Sequence, residues 1–424
     1  FTNNAGSSIT RIVQNIISQT EATLTTAVGG SDVTTAAVLT RRRALLNKPE
    51  NNSLVFKLPY TTVKTLKTAS NSDQTDTNFN VRRQFVKTLS SNGDETITAG
   101  SDETFTTQAS DDVSVSIMTT GSGGTGAVGD TLNTSGNNHE GDPILVLGGS
   151  PTGKTLKFDF GANFAGHKIK ILATVARTVA GSKTKSLNND STVAISSQSV
   201  IESGVIGLGK ADVFKLENVY MSSGFGASAS ASDTDITDRF DLDTGQRDNF
   251  YDIGRIKLKP GAIVPTGQLL VKFDFFSHGT GDYFDVDSYS GVVDYEDIPS
   301  YTSDTTGQKF ELRDSLDFRP RVDDASTINS GTDDRSYDGS GSSLVDIPEF
   351  GSDITSDLEF YLSRIDKIFV TREGGLKVVK GASALNPLEP GNLDGHLLLA
   401  TLTIPSYTLN TDEVEIDKED NRRF

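Results

Sequence analysis

The residues most suggestive of chemistry run Gly148-Gly149-Ser150-Pro151-Thr152-Gly153-Lys154-Thr155, a match to the phosphate-loop consensus G-x-x-x-x-G-K-[ST]. In a nucleotide site such a loop opens a helix. Backbone amides and the helix N-terminus cradle the phosphates, the lysine reaches them, and the threonine holds magnesium. Here the loop follows the apolar run Ile144 to Leu147 but leads into Leu156-Lys157-Phe158-Asp159-Phe160, apolar at every second position. That period belongs to a strand. No Walker-B strand and no α/β alternation surround the motif. The spacing predicts a β-hairpin carrying Lys154, with Pro151 and Gly153 as turn residues and no nucleotide binding.

Acidic residues are the next candidates. Counting Asp285 as the first position of an EF-hand loop puts Asp287 at the third and Glu296 at the twelfth, but Tyr289 and Ser290 occupy the fifth and sixth, where an oxygen ligand and a glycine are required. The EF-hand reading fails. A looser oxygen cage for calcium stays open, drawn from Asp282, Asp285, Asp287 and Glu296 or from Asp241, Asp243 and Asp248; acidic loops facing water have the same composition. No single carboxylate pair stands out for sugar hydrolysis. No G-x-S-x-G elbow anchors a serine hydrolase. His139, His167, His278 and His396 are scattered, and cysteine is absent, so neither a histidine-rich nor a thiolate metal centre is expected. Tyr251, Tyr283, Tyr289, Tyr295 and Tyr301 suit either a glycan platform or the rim of a domain junction. Arg239, Arg247, Arg255, Arg313, Arg319 and Arg321 stand among Asp and aromatic residues, which suggests bidentate Arg–Asp bridges. No catalytic, cofactor-binding or metal-binding residue is assigned, and enzyme activity is not expected.

The chain has 424 residues, a length that suits two to four domains. It carries a formal charge of −18. Residues 1–67 hold eight Lys/Arg against three Asp/Glu, which leaves −23 for the rest. So acidic a surface repels phosphate backbones, and nucleic acid is not an expected partner. No apolar run is long enough to span a bilayer, and no signal-peptide pattern opens the sequence. Beginning with Phe1 and ending in a charged run, the chain reads as an ordered piece of a longer polypeptide or a processed one.

The elements that must position these residues are mostly strands. Residues 1–50 differ: Ile9, Ile12, Val13, Ile16 and Ile17 fall near helical spacing after a potential cap at Ser8, and a second short helix is predicted over 36–46. From Ser53 the period becomes two. Strands are predicted at 83–89, 95–99, 103–108, 113–119, 144–147, 156–160 and 168–177, then at 212–221, 253–258 and 269–276. Short strands broken by Gly, Ser and Asn suggest immunoglobulin-like sandwiches. A weakly apolar connector spans 323–343. A short helix is predicted over 357–362 with Ser356 as its cap, followed by a hairpin over 365–371 and 376–380 and a strand over 397–404. The expected organisation is a helical assembly segment at 1–50, a β-sandwich with a Gly/Ser-rich loop at 51–190, a second sandwich at 191–322, and a connector plus β-rich module at 323–424. The fold class is thus mostly β, with several immunoglobulin-like sandwich modules in series and a short helical N-terminal segment.

The densest pattern lies between Ile236 and Val322. It reads ITDRFDLDTGQRDNFYDIGRIKLKPGA, then LLVKFDFFSHGTGDYFDVDSYSGVVDYEDIP, and closes on LRDSLDFRPRV. This run resembles a large virion structural protein of contractile-tailed phages, the type known from phages of marine cyanobacteria. The likeness resumes in FYLSRIDKIFVTREGGLKVVKGASALNPLEP and LLLATLTIPSYT, and is weaker in LVFKLPYTTVKTL. The resemblance implies a structural component of the tail or baseplate, or an attached fibre, located in the virion. A fibre on the neck or capsid, or an adhesin that binds or cleaves host glycans, are the alternatives. Implied partners are other virion proteins and further copies of the chain, three being usual for phage fibres; a host surface glycan is a further candidate. The apolar stripe of residues 9–17 and the positive charge of 1–67 are expected to serve that assembly.

Overall fold

The computed structural model describes residues 13–18, 21–24, 41–47, 54–60, 63–66, 77–106, 113–150, 152–324, 328–329, 332–333, 337, 347–406, 408 and 411–419. Strands dominate them. Among the described residues the only α-helix is the five-residue Gln198–Glu202, beside several 3-10 turns. Two compact units emerge: Leu45–Lys57 with Thr75–Ser356, and Phe1–Ala44 with Leu58–Gln74 and Asp357–Phe424.

The larger unit holds two β bodies. In the first, strand Lys168–Ala180 is central. It pairs antiparallel with Thr77–Thr88 on one side, and with Val113–Thr119 and Glu103–Phe105 on the other. A three-stranded sheet runs Leu145–Gly148, Thr155–Asp159, Asp94–Thr98. The residues dictate this arrangement. Ile169, Ile171, Ala173 and Val175 occupy every second position, so one face of a pleated strand is wholly apolar. That face joins Leu156, Phe158, Ile97 and Val115 in one buried cluster drawn from both sheets. In the second body, strand Leu269–His278 lies between Lys185–Ile195 and Val213–Met221. A second sheet runs Val205–Ala211, Ile253–Leu258, Phe240–Asp243. Leu269, Val271, Phe273 and Phe275 point into their shared core with Ile206, Val219, Phe240 and Ile256.

The end of the 236–322 segment ties the unit together. Strand Ser315–Asp317 pairs with Val55–Lys57. The Phe318 ring meets Phe56, Phe79 and Tyr283 at centroid distances of 5.6, 4.9 and 5.4 Å. Residues from three distant parts of the chain are thereby packed around one ring.

In the smaller unit, a four-stranded antiparallel sheet runs Leu376–Lys380, Arg364–Val370, Leu397–Ile404, Glu415–Lys418. Its first two strands are the hairpin read from the sequence, turned by Thr371 to Gly375 with Gly374 at φ 85°. The Tyr60 and Phe360 rings stack at 4.2 Å.

The helical expectations do not hold where the structure describes them. Val13–Ser18 and Glu21–Leu24 are an antiparallel strand pair. Arg41–Asn47 is a strand that overlaps the span predicted as a second helix. The remainder of both spans, Ile9 and Ile12 included, lies outside the described residues. A stripe of Ile and Val fits helical spacing, but branched Cβ atoms favour the extended backbone. The helix expected at 357–362 is instead the end of strand Asp353–Phe360. There Ile354, Ser356 and Leu358 are buried in strict alternation, and Ser356 bonds Thr77 at 2.8 Å rather than capping a helix.

Candidate functional site

The phosphate-loop match lies in a hairpin. Leu145–Gly148 and Thr155–Asp159 pair antiparallel, with Gly148 opposite Thr155 and Lys154 in the connection. Gly149 and Gly153 take φ of 92° and 93°, the left-handed conformation that a tight turn demands of glycine. Pro151 lies outside the described residues. Lys154 Nζ donates to the carbonyls of Gly100, Ser101 and Glu103, the last two at 2.8 and 3.2 Å. No helix follows the loop, and the lysine is spent on holding a neighbouring turn.

Most of the acidic calcium candidates are tied to cations or hydroxyls. Asp243 takes a bidentate bridge from Arg247 at 2.8 and 2.9 Å and a further contact from Lys257 at 2.9 Å. Burial works to raise its pKa, but these cations hold it well below the usual carboxylate range. Asp282 forms an ion pair with Arg177 at 2.7 Å and accepts from the Gly181 amide at 2.9 Å. Asp248 accepts from the Tyr301 hydroxyl at 2.5 Å. Asp241 is exposed, 3.8 Å from Lys259. Among the described residues, no three His, Asp or Glu side chains come together as a metal-binding group.

The arginines divide. Arg247 and Arg319 make the expected bidentate bridges, while Arg255 and Arg321 make single contacts to Asp252 and Asp324, at 2.8 and 2.7 Å. Arg313 stacks on Tyr295 at 5.1 Å, and Arg239 donates to the Ile263 carbonyl. Four of the five singled-out tyrosines, 251, 283, 289 and 301, are buried inside the larger unit, so they are not a surface platform. Phe273, Phe275 and Phe284 are likewise interior.

The most unusual chemistry is a buried ionic and aromatic knot. Arg319 is fully buried between the rings of Tyr251 and Tyr301, at 4.4 and 4.3 Å. It grips Asp317 through Nε and a terminal nitrogen at 2.9 and 2.7 Å, and also donates to the Arg247 carbonyl, Gln246 and Tyr251. The Tyr251 hydroxyl in turn donates to Asp317. Burial pushes the Asp317 pKa up, but the Arg319 charge and the hydrogen bonds outweigh it, and the carboxyl stays ionised. Beside this pair, the Lys185 ammonium is ringed by Phe284, Tyr289, Tyr251 and Phe276 at 4.5, 4.7, 4.9 and 5.0 Å. Its Nζ lies 2.6 Å from Asp212. Burial lowers the lysine's pKa despite that carboxylate. Asp285 is buried too, one oxygen accepting from the Ser288 amide at 3.0 Å and the other without a partner. Burial and the charge of Asp287 push its carboxyl up to about 8.

Sequence reasoning singled out Arg319, Tyr251, Tyr289 and Asp285, but not Lys185, Asp212, Asp317 or Glu103. Glu103 is buried and held by Arg83 at 2.5 and 2.8 Å and by Arg177 at 2.5 Å; burial opposes ionisation, yet these guanidiniums bring its pKa down to about 2. The signal for the missed residues is weak, because each is one charge in a polar stretch. What the arrangement does chemically is hold opposite charges and aromatic rings in fixed mutual positions, in a mostly β protein whose larger unit is tied through its interior. No family model, curated protein or solved structure matches this chain. Among the described residues, no helix is long and apolar enough to cross a membrane.

Proposed function

We propose that the chain is a structural component of a phage virion, belonging to the tail or baseplate or to an attached fibre, and that its work is architectural. In this reading the paired sheets of the larger unit serve as immunoglobulin-like sandwich modules in series, stiffened by the Arg319 and Lys185 knot. The smaller unit supplies interfaces to other virion proteins and to further copies of the chain, three being the preferred number. Residues 1–50, with the net positive charge of 1–67, act as the assembly segment.

The observation that carries the interface reading is one face of the sheet in the smaller unit. Leu376 lies opposite Val370, which lies opposite Leu397; Val378 lies opposite Ile368; Leu402 lies opposite Ile416. Residues directly opposite share a face, so these side chains line one largely apolar face, which the Asp366–Lys380 pair interrupts beside Leu402. Leu376 is 73% exposed, and Val378, Leu397 and Ile416 are about half exposed. An apolar patch of contiguous strands left in water marks an association surface. The resemblance of the 236–322 run to phage virion proteins supplies the setting.

Light scattering on the full chain and on the double variant Leu376→Glu, Val378→Glu tests the interface. An oligomer that the double variant reduces to a monomer supports the proposal. A monomer at high concentration in both sinks self-association. Cryo-electron microscopy of the particle tests the setting, and a map with no density for this chain in tail, baseplate, neck or fibre refutes it.

A further inference from the structure

Lys185 opens strand Lys185–Ile195 opposite His278, and Asp212 immediately precedes strand Val213–Met221, whose Val213 lies opposite Phe275. Both strands pair with Leu269–His278 from opposite sides. The two side chains therefore reach toward each other across the end of the strand between them. Their meeting point is closed. Lys185 and Asp212 are both almost fully buried, 2.6 Å apart, and four aromatic rings surround the ammonium. Asp212 is also one of only two non-glycine residues with left-handed backbone among the described residues, at φ 56°. Its carbonyl accepts from the Phe276 amide at 2.9 Å, which fixes the carboxyl over that strand. A side chain held at some cost in backbone strain marks a position under geometric constraint.

We propose that Lys185 and Asp212 condense into an intramolecular amide, a covalent cross-link between the two outer strands of this sheet. Geometry supplies the reactants at contact distance, with long side-chain entropy already removed. The interior eases the proton transfer that the reaction needs. In water a lysine and an aspartate are both charged and inert toward each other. Out of water, separated charges are disfavoured, and passing one proton from Nζ to the carboxylate gives a neutral amine and a neutral acid at no net change in charge. Burial lowering the Lys185 pKa acts in that direction. The amine lone pair then attacks Cγ of Asp212. A C–N bond forms, the C–OH bond breaks, and the hydroxyl leaves with a second proton from nitrogen as water. Nothing is oxidised or reduced, and no co-reactant is needed. The Tyr289 ring is one of the four around Lys185, and its hydroxyl is buried without a hydrogen-bond partner. With no cysteine in the chain, such a bond would be its covalent staple.

The test is the intact mass of the purified, folded 424-residue chain, measured fresh and after prolonged incubation. The expected mass is lower than the sequence mass by one water, and trypsin digestion yields a branched peptide joining the Lys185 and Asp212 regions, with no cleavage after Lys185. Lys185→Arg and Asp212→Ala restore the full sequence mass and migrate differently from wild type on a denaturing gel; neither readout requires the variants to fold. An unshifted wild-type mass after incubation, in protein shown by circular dichroism to be folded, overturns the proposal. So does a water-loss product whose branch maps to other residues or persists in Lys185→Arg.

Discussion

Asp285 makes the stability of the larger unit fall as pH rises, and Asp285→Asn removes that dependence. The carboxyl is buried, its Oδ1 is served by Ser288, and its Oδ2 has no partner. Burial first, then the charge of Asp287, raises its pKa from 3.8 to about 8. The sign follows from which state gives up the proton. Below the unfolded value of 3.8 both states hold it, and this group costs nothing. Above that, the unfolded chain ionises while the folded one stays protonated, so stability drains away until the folded carboxyl ionises near pH 8. Each pH unit in that window is worth about 1.4 kcal/mol, so from pH 5 to pH 7 the loss is about 3 kcal/mol. Other groups titrate too, and the clean quantity is therefore the difference between variant and wild type. An asparagine of the same shape cannot ionise. Relative to wild type, Asp285→Asn gains about 3 kcal/mol between pH 5 and pH 7. Urea unfolding at each pH measures this, followed by tyrosine fluorescence, since the chain has no tryptophan, and by circular dichroism. If the difference between the two proteins is the same at both pH values, the carboxyl is ionised in the folded state and the reasoning fails.

Three further outcomes are expected. Arg319→Met strands the buried Asp317 charge, which keeps only the Tyr251 hydroxyl as a side-chain donor, and costs about 3–5 kcal/mol, part of it regained when Asp317→Leu is added, since that change leaves the hydroxyl without its acceptor; calorimetric melting of the single and double variants checks both halves. Gly93→Ala costs roughly 3 kcal/mol or more, because φ there is 78° and a Cβ would run into the Gly161 carbonyl oxygen; a melting temperature like wild type's would show that this turn relaxes freely. Titration calorimetry with magnesium and ATP gives no saturable heat, since the lysine of the phosphate-loop match is bonded to three carbonyls; micromolar binding abolished by Lys154→Ala would contradict this.

What the sequence determined by itself was local. Alternation at Leu156, Phe158 and Phe160 was enough to turn a phosphate-loop match into a hairpin, because a two-residue period is written in adjacent positions. The same period gave the 168–177 strand and the hairpin around Gly374, each within a few residues. The Arg247–Asp243 bridge was legible too, since the partners lie four residues apart. Where local signals were ambiguous the reading went astray: Ile and Val at 13–17 fit two periods at once, and Ser356 looked like a cap until its strand partners were known. Only the tertiary structure decided which charges meet. Lys185 finds Asp212 across an intervening strand, Glu103 gathers Arg83 and Arg177 from two long strands, and Arg319 reaches Gln246 and Tyr251. Such pairings depend on the register of strands far apart in the chain, and a one-residue slip would send the strand-borne Lys185, Glu103, Arg83 and Arg177 to the opposite face. The burial that shifts Lys185 and Asp285 is likewise a property of the surrounding rings and sheets, which no stretch of neighbouring sequence encodes.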